Sequence, residues 1–129
     1  MSVQPPGYLA PDGYAIRFAW GQTGVRHLAP VSDGVVLIDV LRFSTSVDVA
    51  VSRAAVVYPF PFNDAAALTF ARSVPATVAG TPEIRYTPSP HSLLTLPAGA
   101  RLVLPSPNGS TCTVIAAAMG ARHCRLPSQ

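Results

Sequence analysis

A chain of 129 residues is about one ordinary domain, and 49% hydrophobic with 12% charged content marks it as globular rather than disordered. Its net charge of +3 comes from nine scattered arginines and no lysine. That excludes a Walker-type phosphate loop and offers no basic stripe for nucleic acid, while a small anionic ligand suits it well. So low a charge density also predicts that part of the surface is covered by another chain.

The opening MSVQPPGYLAPDGYA has neither a basic start nor an apolar core, so it is not read as a signal peptide. Pro, Gly or charge interrupts every apolar stretch before it reaches membrane length, and a cytoplasmic location without membrane contact is expected. Residues 1–14 read as an irregular arm and 15–129 as a single domain. AIRFAW (15–20) alternates like a half-buried strand, and QTGVRHLAP (22–30) suits a short helix. GVVLIDVL (34–41) is a continuous apolar run, the pattern of a central strand buried on both faces.

From Ser44 the period changes to a helical stripe through Val47, Ala50, Val51 and Ala54, with Ser44 or Thr45 as its cap. AVVYPF (55–60) reads as a strand whose two prolines limit pairing, and Asn63 as the cap of a helix over DAAALTFARSV. ATVAG (76–80) reads as a short strand, 81–98 as a long loop, and RLVLP (101–105) as another strand. SPNGS then leads into the helix TCTVIAAAMG, ended by Gly120, and ARHCRLPSQ begins as a strand. Strands alternating with helices predict an α/β fold, with a mostly parallel or mixed sheet and helices on both faces.

In such sheets ligands gather outside the carboxyl ends of strands. Two strand-to-helix junctions carry polar residues there. The first runs from Asp39 to Ser46 and includes Arg42, Ser44 and Thr45. The second holds Ser106, Asn108, Gly109, Ser110 and Thr111. Hydroxyls, backbone N–H groups and helix N-termini make anion sites. Asp39 is a carboxylate suited to a divalent cation, and Arg42 a fork suited to phosphate. Each feature has a plainer reading: a helix-start Ser is ordinarily a cap, Asn-Gly a turn, and Asp39 with Arg42 an ion pair.

Competing phosphatase chemistries lack their residues. A C-x5-R loop on Cys112 would need Arg where Ala118 stands, and an aspartyl-phosphate mechanism would need Asp where Leu41 stands. Cys112 and Cys124 show no metal spacing; a disulfide between them is open, with reduced thiols expected.

WGQTGVRHL, VVLIDVLRFSTSVDVAVSRAA, YPFPFNDAAALTFAR and TPSPHSLLTLPAGARLVLPSPNGST follow one another as in the 2-phosphosulfolactate phosphatase family. The resemblance covers roughly residues 15–126 and is carried by DVLRFST and SPNGST together. It implies a Mg²⁺-dependent acid phosphatase of α/β fold, converting 2-phosphosulfolactate to sulfolactate in coenzyme M synthesis. On that pattern Asp39 is a metal ligand or catalytic acid, and Arg42, Ser44 and Thr45 contact phosphate or sulfonate. Asn108, Gly109, Ser110 and Thr111 complete the anion cradle. Pro88 stands where the family has Asn in its NSP element, and AGTPE lacks the family's Gly-Glu pair, which bears on Glu83. His91 is the histidine to watch in that loop. Family members are longer, so the resemblance is to their first half. It implies a truncated fold with a bare sheet edge, and a homodimer or higher homo-oligomer to cover it. The rival expectation is a catalytically inactive anion-binding or oligomerisation module.

Overall fold

RLVLP is the strand around which the larger sheet is built, because its apolar side chains find partners on both faces. A computed structural model describes residues 13–121, together with the backbone of 123–125. The expected arm falls almost entirely outside the described residues.

In chain order the elements are α1 (Gly21–Leu28), a 3-10 turn (Ala29–Val31), β1 (Gly34–Val36), α2 (Phe43–Ser52) and β2 (Val56–Phe60). They continue with α3 (Ala65–Ser73), β3 (Thr77–Val78), α4 (Pro90–Leu93), β4 (Arg101–Pro105), α5 (Gly109–Ala118) and β5 (His123–Arg125). β4 lies between β2 and β3, parallel to both, with Tyr58 and Val78 each opposite Val103. β1 and β5 form a separate parallel pair in which Val35 lies opposite Cys124. The chain is thus α/β with parallel strands.

Alternation along β4 divides the core. Leu102 and Leu104 turn to one face, where they pack with Phe43 and Ala50 of α2 and with Leu93 and Leu96. Val103 turns to the other and meets Ala67 and Ala71 of α3 beside Val78. Helices therefore cover both faces of this sheet, as the period-two pattern of a buried strand requires. Each of these fully buried leucines carries roughly 2–5 kcal/mol against truncation to alanine.

Several local expectations are corrected. The run 34–41 is not a central strand. Only three residues pair, and Val36, Ile38, Val40 and Leu41 are exposed. Residues 15–20 form no strand, and Ile16, Phe18 and Trp20 are exposed as well. An apolar run states what a segment would bury, not whether a neighbour arrives to cover it.

Neither Ser44 nor Thr45 caps α2. Arg42 holds the cap position without a side-chain cap bond, because Ser44 and Thr45 hydrogen-bond backward into the loop. The cap of α3 is Asp64, whose Oδ1 accepts the Ala67 N–H at 3.0 Å, while Asn63 instead donates to the Gly80 carbonyl. The loop 81–98 contains the one-turn helix α4. No helix among the described residues is long and apolar enough to cross a membrane.

Candidate functional site

The hydroxyl cluster after β1 is a set of loop ties. Ser44 Oγ accepts the Asp39 N–H at 3.0 Å and donates to the Leu37 carbonyl, while the Ser44 N–H donates to the Asp39 carbonyl at 3.0 Å. Thr45 Oγ1 donates to the Val40 carbonyl at 3.1 Å, and the Ser46 N–H donates to the Arg42 carbonyl. Ser and Thr compete for local backbone groups in this way wherever a chain turns into a helix. The result holds Asp39 half-buried and leaves Arg42 exposed at the start of α2.

SPNGST is tied in the same manner. Ser106 Oγ accepts the Gly109 N–H at 3.1 Å, and the Ser106 carbonyl accepts both the N–H and the hydroxyl of Thr111. Ser110 is fully buried and donates to the Leu104 carbonyl at 2.7 Å. Asn108 is exposed at the cap position of α5, and its side chain makes no cap bond.

The two junctions meet. A Cβ built on Gly109 would lie 2.6 Å from Phe43 Cβ and closer still to Cγ and Cδ1, so the first residue of α5 sits directly on the first side chain of α2. Glycine is required at 109 for close approach. Cys112, one turn into α5, is buried; burial pushes its thiol up, and the Asp39 carboxylate pushes it further in the same direction. Asp39 and Cys112 therefore share one electrostatic environment. A neutral, buried thiol is a poor nucleophile.

The sequence-nominated residues thus divide by role. Arg42 and Asn108 are exposed at the two helix starts, and Asp39 is half-buried before the first. Ser44 and Ser110 are buried with their hydroxyls on backbone carbonyls, so their part is to shape the loops. Gly109 brings the two helix starts together. Ser106 and Thr111 hold the second loop, and Thr45 the first. The donors left exposed at the two junctions are accordingly a guanidinium and an amide rather than a ring of hydroxyls.

Sequence reasoning missed the role of Ser46, the residue that closes the first junction. It is fully buried and donates to the Pro88 carbonyl at 2.7 Å, fastening the 81–89 loop to α2. Its place two residues beyond Ser44, just before the apolar Val47, Val49 and Ala50, was the available signal. It also missed that Phe43 is what Gly109 accommodates, a relation between residues far apart in the chain. His91 and Glu83 are both exposed on that loop.

Among the described residues no three His, Cys, Asp or Glu side chains gather as a metal cage. Magnesium differs from zinc or calcium in this respect. It is commonly held by one or two carboxylates and completes its shell with water and substrate phosphate. Asp39, half-buried, is a single carboxylate of that kind.

Comparisons with protein-family models, with curated proteins and with solved structures return no match, so the chemistry of this site is carried by the chain's own residues.

Proposed function

We propose that the chain is a Mg²⁺-dependent phosphatase acting on a small phosphate monoester, of the kind exemplified by conversion of 2-phosphosulfolactate to sulfolactate. One observation carries the reading. The close seating of Gly109 on Phe43 joins two strand-to-helix junctions, one carrying Asp39 and Arg42 and the other Asn108.

In this reading the Arg42 guanidinium takes two phosphoryl oxygens as a fork and the Asn108 amide donates to a third. Asp39 holds the metal, which when bound neutralises charge on the phosphoryl oxygens. The positive ends of α2 and α5 favour the anion in the same place. The loop ties made by Ser44, Thr45 and Ser106 keep these groups in position before substrate arrives, which is where such sites gain their rate. A cytoplasmic location accompanies the proposal.

A second reading is favoured by the commitment of Ser44 and Ser110 to backbone carbonyls, which thins the cradle. On that reading the chain is an anion-binding or oligomerisation module without turnover. One experiment separates the two. Purified chain is assayed for phosphate release from p-nitrophenyl phosphate and from 2-phosphosulfolactate, with Mg²⁺ and with chelator. The enzyme reading expects magnesium-dependent turnover that Asp39→Ala reduces by about 10²-fold or more, as loss of a charge-stabilising group does. Absence of magnesium-dependent turnover overturns it, and calorimetric phosphate binding without turnover supports the module.

A further inference from the structure

The amino-terminal end of the larger sheet holds a cavity that the candidate site does not use. Its volume is about 500 Å³, the size of a small-molecule site. It lies beside β3, the short edge strand of that sheet, so residues of both core layers reach its wall. Ala71 comes from the layer packed on Val103, and Leu96 from the layer packed on Leu102 and Leu104. Both are buried, so the cavity reaches down to the two cores. Arg72, Thr77 and Arg101 line it at the exposed rim, and Tyr86 lines it half-buried. Thr77 opens β3 and Arg101 opens β4, whereas the SPNGST junction follows the other end of β4.

We propose that this cavity binds a small organic carboxylate with a flat apolar body, an aromatic acid being the type. Charge selects the anion. Arg72 and Arg101 line the cavity and no carboxylate does. Neither arginine makes an ion pair among the described residues. Arg101 is held in place before any ligand arrives. Its Nε donates to the Val74 carbonyl at 3.0 Å, its Nη2 donates to the Tyr58 hydroxyl, and the guanidinium stands 5.1 Å from the Tyr58 ring centroid. A fork ordered beforehand loses little freedom on binding, and a guanidinium has further N–H donors to offer a carboxylate. The Val74 carbonyl ends α3, where the helix dipole is negative and opposes an anion, and Arg101 covers it. Shape selects the body. Ala76, Gly99 and Ala100 carry nothing beyond Cβ, so a ring can lie close to the backbone there, with Leu96 and Tyr86 to pack against. Bare phosphate has no apolar part and gains nothing from that wall.

The test titrates the full chain with cinnamate, and separately with cinnamamide as its neutral isostere, to about 5 mM, followed by backbone amide NMR. Cinnamate is expected to give saturable shifts confined to residues 71–77, 86 and 96–101, and cinnamamide to bind about fivefold or more weakly. Arg72→Glu is expected to weaken cinnamate by about fivefold or more and to leave cinnamamide unchanged, so that the two bind alike. Position 72 is exposed, so the variant is expected to fold; if it does not, Arg72→Gln and the wild-type ratio of acid to amide still decide. Inorganic phosphate is expected to leave these residues unmoved, which keeps the outcome separate from that of the phosphatase reading. No saturable shift by about 5 mM overturns the proposal. So does an amide that binds as tightly as the acid, a charge reversal at 72 without effect, or cinnamate shifts that gather instead around Arg42 and Asn108.

Discussion

Replacing Gly109 by alanine tests the contact that joins the two halves of the candidate site. The added methyl would enter the space of three Phe43 side-chain carbons, all inside 3.0 Å, and Phe43 is itself buried and packed against Ala50 and Leu104. It cannot swing into solvent without emptying that cluster. Forcing an extra methyl into a filled core costs about 1–3 kcal/mol. One effect opposes the loss: Ala is the better helix former by at most about 1 kcal/mol, chiefly because it restricts the unfolded chain. Because 109 is the first residue of α5, the propensity gain there is smaller than in a helix interior. The expected net loss is about 1–2 kcal/mol, a fall in Tm of roughly 4–8 °C for a chain of this size.

The measurement is thermal and urea denaturation followed by circular dichroism, on Gly109→Ala, Phe43→Leu and the double variant. Removing part of the ring makes room, so the double variant is expected to be more stable than the sum of the two single losses by about 0.5 kcal/mol or more. A Gly109→Ala chain as stable as the wild type, with no coupling to position 43, would refute the reasoning. It would mean that the two junctions do not meet, and the site would lose its second wall.

Two further outcomes follow from local geometry. Asp64→Ala should cost about 1 kcal/mol by removing the α3 cap, and Asn63→Ala distinctly less, read as denaturation midpoints; equal losses would contradict the assignment of the cap. Because burial first and Asp39 second raise the Cys112 thiol, Asp39→Asn should speed its alkylation at constant pH near 8.5, scored by peptide mass mapping. The unfolded thiol ionises at its ordinary value while the folded one stays neutral. Stability from this group is therefore fully present below that ordinary value and declines as pH rises through it toward the raised folded value.

How much of this was legible beforehand differs from element to element. RLVLP announced a strand through the short apolar run Leu102, Val103 and Leu104, and the helices from 65 and 109 were visible in their apolar periods. The difference between Asn63 and Asp64 as a cap lay below what spacing resolves, since both residue types cap equally well. The error at 34–41 has another origin. Local sequence reports affinity for a buried place, and burial is granted by elements distant in the chain. β4 obtained neighbours on both faces; the run after Gly34 obtained only β5 and left Val36, Ile38, Val40 and Leu41 outside.

The amino-acid sequence by itself determined the α/β alternation and the two polar strand-to-helix junctions. These depend on periodicity and residue chemistry, which act over a few residues. Only the tertiary structure decided that Phe43 and Gly109 touch, that Ser44 and Ser110 bond to the backbone, and that Ile16, Trp20 and Ile38 face outward. Each of those is a relation between segments, set by which surfaces meet when the chain closes and not by any property of the segments alone.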